Sequence, residues 1–166
     1  ALSEGEKDGT CYSLPLYSHA QVMWYRKDLL DAAGLEVPKT WDEFADAAKT
    51  LTKDGVYGCS FPCGSNDLMG TRFLNFYVRS GGGSLLTDDL KADLTSDLHL
   101  TAFVTGWTFI ENCSPKDSVN YAVLDQATLF YQERQPLTLT PVSRSAALKR
   151  TPLIWWIRLT VRLFRR

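Results

Sequence analysis

The run Gly-Leu-Glu-Val-Pro-Lys-Thr at residues 34–40 constrains this chain more than any other feature, because it stops one helix and starts the next. Asp28 to Ala33 is predicted as a short helix that Gly34 ends in the left-handed conformation, with Leu35 placed for the apolar contact of a Schellman cap. Pro38 holds Val37 extended and bars continuation. Thr40 is then an N-cap whose hydroxyl accepts an amide hydrogen bond, and Glu43 reaches back to close a capping box. Trp41, Phe44, Ala45, Ala48 and Leu51 follow at helical spacing opposite Asp42, Asp46 and Lys49, so this second helix rests one stripe on a larger body.

The flanking sequence alternates strand and helix signals. Residues 1–10 are polar and Gly-interrupted and read as a connection, Cys11–Leu16 as a strand with Pro15 at its edge or end, and Val22–Tyr25 as a second, apolar strand. Gly55 is expected to end the second helix, and Val56–Phe61 to form a buried strand. The turn Pro62-Cys63-Gly64-Ser65-Asn66-Asp67 then leads to a helix capped by Asn66 or Asp67, with Leu68, Met69, Phe73, Leu74, Phe76 and Tyr77 as its core face. Gly81-Gly82-Gly83 lacks the Lys-Ser/Thr of a phosphate loop and follows a helix, so it reads as a helix stop before a hairpin-like Leu85–Leu94.

Composition excludes several functions. The chain has 166 residues, 45% of them apolar and 22% charged, with a net charge of −1. That is a globular composition without the basic field a nucleic-acid partner requires. Four cysteines form no CxxC pair and only His19 and His99 could join them, which does not make a zinc site. Cys11, Cys59, Cys63 and Cys113 read as buried thiols or, in an exported protein, as a Cys59–Cys63 or Cys11–Cys113 disulfide; spacing does not choose. There is no Ser-His-Asp order, no paired carboxylates in a supported pocket and no metal cluster, so no catalysis and no cofactor are expected. No signal peptide opens the sequence as given, and any export signal or anchor is expected outside it.

A resemblance accumulates along these elements. Val-Met-Trp-Tyr-Arg-Lys-Asp-Leu-Leu at 22–30, Ala-Gly-Leu at 33–35, Pro-Lys-Thr-Trp-Asp-Glu-Phe at 38–44, Ala-Lys-Thr-Leu-Thr at 48–52, Tyr57-Gly58, Gly81-Gly82-Gly83 and Phe130-Tyr131-Gln132 resemble the extracellular solute-binding proteins of sugar ABC importers. The family usually has Tyr-Asn-Lys where this chain has Tyr25-Arg26-Lys27, a departure that reads as minor. The resemblance implies part of an α/β, periplasmic-binding-protein-like (type II) two-lobed fold, mostly its second lobe, that binds a carbohydrate ligand by hinge closure. The partners implied are ABC transporter permease subunits, with no nucleic acid and no membrane contact except through a missing anchor or the permease. The location implied is extracytoplasmic, the periplasm or a cell-surface lipoprotein. Ligand contacts implied are Tyr17, Ser18, His19 and Gln21, in the loop where the chain passes between lobes, and Asn66, Asp67 and Arg72, at a strand's carboxyl end. The plainer alternatives are an ordinary loop with a solvated His, and N-capping beside a surface Arg.

The likeness lapses over His99–Glu111 and from Glu133 onward. Read one base over, Leu98–Ile110 is compatible with Leu-Ala-Leu-Asp-Gly-Ile-Cys-Asn-Trp-Val-Asp-Ile-Tyr, and the stretch from Glu133 with Gly-Lys-Thr-Ala-Phe-Asp-Phe-Asn-Ser-Gly-Phe. Both peptides look like the family. Two frame errors are therefore expected, the first compensated, leaving 1–132 as a partial solute-binding domain and 133–166 as an out-of-frame, poorly structured tail. Taken literally, the acid-free, Arg-rich Leu153–Arg166 would instead be a basic amphipathic segment for a membrane surface. A second alternative is a carbohydrate-active hydrolase using two of Asp67, Asp88, Asp89 and Asp93, which would need a fixed separation in one cleft.

Overall fold

The computed structural model describes residues 5–14, 21–65, 69–87, 89 and 91–141. The chain begins with a two-residue hairpin in which β1 (Glu6–Lys7) pairs antiparallel with β2 (Thr10–Cys11). Asp8 and Gly9 turn it, both at positive φ (52° and 75°), the geometry an Asp-Gly pair favours. The polar connection expected over residues 1–10 thus holds a hairpin, and β2 stops at Cys11 rather than running on.

Strand β3 (Gln21–Tyr25) pairs antiparallel with β4 (Leu137–Pro141), from Gln21 opposite Pro141 to Tyr25 opposite Leu137. Val22, Met23, Trp24 and Tyr25 are all buried, so both faces of β3 are covered. Helix α1 (Lys27–Ala32) ends as its sequence predicts: Gly34 has φ 67°, and the Leu35 N–H donates to the Leu30 carbonyl at 2.9 Å. Helix α2 (Trp41–Leu51) carries the full capping box, with the Glu43 N–H donating to Thr40 Oγ1 at 3.1 Å and the Thr40 N–H to Glu43 Oε2 at 3.3 Å.

Helix α2 buries Phe44, Ala47, Ala48 and Leu51. It ends at Leu51, before Gly55, because the Thr52 hydroxyl bonds back to the Ala48 carbonyl at 2.7 Å and accepts the Gly58 N–H at 2.9 Å. Asp54 and Gly55 then turn the chain at positive φ. Residues 58–61 are buried and Tyr57 is half-buried, but the segment 57–61 forms no ladder. Its backbone groups are shared out among the Arg134 carbonyl, the Cys113 carbonyl and the Leu137 N–H, at 2.8, 3.2 and 3.2 Å. Gly58 is required here, since a Cβ would lie 1.8 Å from the Ala48 carbonyl oxygen.

Helix α3 (Met69–Ser80) supplies Phe73, Phe76 and Tyr77 to a cluster around Trp41, with ring centroids 4.9 to 5.6 Å from the indole. The Trp41 indole N–H donates to Ser80 Oγ at 2.9 Å. Gly82 and Gly83 stop α3 as predicted, with the Gly83 N–H on the Val78 carbonyl at 2.9 Å, and Leu86 bridges Ala92 in the expected hairpin. Helix α4 (Asp97–Cys113), a 3-10 turn (Lys116–Asn120) and α5 (Val123–Tyr131) lead to β4. Beyond residue 132 the chain stays packed as far as it is described. Gln135, Leu137, Thr138 and Leu139 are buried, and residues 142–166, including the basic amphipathic stretch, lie outside the described residues.

Candidate functional site

The loop before β3 and the loop before α3 were expected to supply ligand contacts. Tyr17, Ser18, His19, Asn66 and Asp67 lie outside the described residues, as do the side chains of Gln21 and Arg72. The backbone fixes two of these positions: Gln21 opens β3 opposite Pro141, and Arg72 falls in the first turn of α3. Asp88 of the hydrolase alternative is likewise undescribed, whereas Asp89 pairs with Lys91 at 2.6 Å and Asp93 caps residues 95 and 96.

What the described residues show is how the turn into α3 is held. The Gly64 N–H donates to the Tyr121 carbonyl at 3.0 Å. One residue-pair earlier, Ser60 anchors a buried network: Gln126 Nε2 donates to the Ser60 carbonyl at 2.5 Å, Ser60 Oγ to Gln135 Oε1 at 2.5 Å, and Gln135 Nε2 to the Leu137 carbonyl at 2.8 Å. Three elements, α5, the segment 57–61 and the approach to β4, are thereby fixed to each other by satisfied polar groups, which specify one arrangement more sharply than apolar contact does. Sequence reasoning missed this network, because nothing in three separate polar residues marks them as partners.

A second charged cluster sits where β3 passes into α1. The buried Arg26 guanidinium donates from Nε and Nη2 to the Asp28 carboxylate at 2.8 and 2.6 Å, and its Nη1 lies 3.1 Å from Glu133 Oε1. The hydrogen bond from Arg26 holds the Asp28 carboxyl below its usual range. Arg26 thus ties α1 to the turn before β4.

One cavity, of about 490 Å³, opens between α3, α4 and the hairpin, against Phe61, Phe73, Leu94, Phe103, Trp107 and Ile110. Its walls are hydrocarbon and aromatic. A sugar's hydroxyls would lose water against these walls without recovering hydrogen bonds, so the described lining residues do not by themselves make a carbohydrate site. Among the described residues no group of His, Cys, Asp and Glu could hold a metal ion, and no described helix is long and apolar enough to cross a membrane.

A buried strand pair, helices on its flanks and a loop-to-helix turn held at its end define part of the type II periplasmic-binding-protein fold. Solved structures agree. An ABC transporter solute-binding protein of Thermotoga lettingae TMO, bound to alpha-D-tagatose, superposes with a TM-score of 0.74 at 25% identity over 92% of this chain and 42% of its own. One from Agrobacterium vitis S4, bound to D-mannitol, gives 0.75 at 21% identity over 90% and 37%. The sequence profile described as bacterial extracellular solute-binding protein matches residues 2–148, and this chain belongs to that family. A Brucella abortus (strain 2308) protein described as a binding protein is 30% identical over 152 residues, 89% of this chain. The chain spans 36% of that relative's length.

Proposed function

We propose that the protein of which this sequence is a part is the extracytoplasmic substrate-binding component of an ABC importer. It holds a sugar or sugar alcohol between two lobes and delivers it to membrane permease subunits. The observation that carries this reading is membership of the solute-binding family over residues 2–148. The sugar-class ligand is supported by the alpha-D-tagatose and D-mannitol named with the two structural neighbours. Such a protein needs no covalent chemistry. The ligand stabilises a closed state because it contacts both lobes at once, and that differential affinity is what the permease reads.

In this reading Tyr17, Ser18, His19 and Gln21 line one edge of the cleft and Asn66, Asp67 and Arg72 the other, with hydrogen bonds to hydroxyls worth about 1 kcal/mol each. The framework at Ser60, Gln126 and Gln135 supports it by pinning the chain just before the second set. A single half-site leaves those groups hydrated, so this chain alone binds weakly. Calorimetric titration of the full-length, in-frame protein with D-mannitol, D-tagatose and an oligosaccharide panel is the test. Micromolar binding of at least one, weakened about tenfold by Arg72→Ala or Asp67→Asn, is expected; an intact protein that binds none of them overturns the reading. Turnover of chromogenic glycosides that Asp67→Asn abolishes would favour the hydrolase instead.

A further inference from the structure

Two thiols that no sequence motif links meet inside this fold. Cys59, in the segment 57–61, donates its N–H to the carbonyl of Cys113, the last residue of α4, at 3.2 Å. The Ser114 hydroxyl closes the same contact from the other side, donating to the Cys59 carbonyl at 3.1 Å. A backbone bond of that length sets the two residues side by side, the neighbourhood a disulfide requires. Both residues are buried, at 0% and 3% exposure, and their thiols lie near enough for each to shift the other's titration. Cys11 is exposed on β2, and Cys63 is half-buried two residues after Phe61.

We propose that Cys59 and Cys113 form a disulfide in an oxidising compartment, clamping the segment 57–61 to the end of α4. This goes beyond sugar binding and does not depend on it. The oxidant is a disulfide-bearing thiol reagent or oxidoreductase. The Cys113 sulfur attacks one sulfur of that disulfide and expels the other as a thiolate, leaving a mixed disulfide. Cys59 then gives up its proton and attacks the Cys113 sulfur, expelling the second thiolate. Two protein thiols are oxidised and one external disulfide is reduced to two thiols. The surroundings divide the roles in this order. The Cys113 thiol is held down by the Cys59 S–H it accepts and by the Thr52 hydroxyl and Lys49, whereas burial pushes the Cys59 thiol well up. The lower thiol attacks and the higher one resolves.

The full 166-residue chain, folded and treated with oxidised glutathione, is the sample. Digestion without reductant and mass spectrometry should give one linked species joining the peptides of Cys59 and Cys113, lighter by two hydrogens. Both thiols should then resist alkylation in denaturant, and the melting temperature should rise by about 10 °C, reversibly with reductant. The Cys11→Ser/Cys63→Ser variant should behave alike. If that variant fails to fold, the wild-type digest still distinguishes every pairing by mass. Cys59 and Cys113 that remain alkylatable, a Cys59–Cys63 or Cys11–Cys113 link instead, or a link that forms only after unfolding each overturn the proposal.

Discussion

Helices α2 and α4 lie against the same core, α2 contributing Phe44 and α4 Phe109, whose rings meet edge-on at 5.4 Å. They are built to different standards. Helix α2 has its cap, one buried face and charged residues on the other. Helix α4 has no side-chain cap, because the Ser96 hydroxyl is taken by His99 Nδ1 at 2.6 Å. It buries His99 at 1% exposure with Nε2 unpartnered, borders the 490 Å³ cavity, and presents Leu100, Phe103, Val104 and Trp107 to solvent. Agreement between local signals and packing is what a selected sequence shows; conflict between them marks something amiss.

The conflict falls on the stretch that resembles the family better one base over. Aligned residue for residue, that peptide puts Ala in place of the buried imidazole and Trp in place of Gly106, at the cavity wall beside Phe73. It keeps Leu, Ile, Cys and Val at the four exposed positions. The frame error expected from the sequence would account for the orphaned nitrogen and the void. The apolar outer face of α4 is common to both peptides.

The largest difference between the helices should appear on truncating them. Phe44→Ala is expected to cost about 3–5 kcal/mol, whereas Val104→Ser, at 66% exposure, should stay within about 0.5 kcal/mol. Urea midpoints measure both. A Val104→Ser loss comparable to that of Phe44→Ala would mean the α4 face is already covered, and the contrast would collapse.

Replacing His99 by Ala and Gly106 by Trp, as the alternative peptide has them, should raise stability by about 2 kcal/mol, the scale of relieving one unsatisfied buried polar group. A Cβ at position 106 comes within 2.9 Å of the Phe73 ring, so that ring must move, and the adjoining cavity gives it room. A less stable replacement would break the frame argument. Sequencing the coding DNA over Asp97–Asn112 and Gln132–Val142 tests it directly.

Legibility followed the same division. The stops at Gly34 and Gly83, the box at Thr40 and the strand at Val22–Tyr25 were readable because each rests on neighbours a few residues away. Val56–Phe61 was read as a strand from its apolar run, yet its hydrogen bonds go to Cys113, Arg134 and Leu137, partners that no local pattern discloses. Strand β4 falls in the stretch read as a tail, and its packing has a simple cause. Leu137 and Leu139 alternate with Thr138 and Thr140, and the alternative peptide has Phe, Asp, Phe, Asn at the same places. A period of two survives the shift of frame and keeps Leu137 and Leu139 on one face, while Thr138 on the other face is buried as well. The proposed ligand contacts rested on resemblance and, for Asn66, Asp67 and Arg72, on their place at a strand's carboxyl end, and their side chains lie outside what is described.

Thr40→Ala tests the better-built helix more gently, with an expected loss of about 1 kcal/mol as its capping bond disappears. Thr40→Ser should keep most of that stability, since the hydroxyl is retained. Equal losses from both would assign the effect to something other than the cap.

The smallest expected effect concerns the Arg26 cluster, which joins α1 on the well-built side to the turn at Glu133. Asp28 has its carboxyl depressed by the Arg26 hydrogen bond, so the folded state binds its proton less readily than the unfolded state does. The resulting stabilisation is complete above the unfolded value of about 3.9 and disappears as pH falls through the depressed folded value. The Asp28 side chain is 40% exposed, and solvent screening limits the contribution to about 0.5 kcal/mol. Urea midpoints of the wild type and Asp28→Asn should therefore differ by a constant amount from about pH 6 to about pH 5 and converge below about pH 4. Raising salt should narrow the gap in the upper range, because a partly exposed pair is screened. A gap that persists undiminished to the acid limit would mean that Asp28 acts through packing or through the start of α1, leaving the tie between Arg26 and Glu133 as the cluster's only electrostatic element.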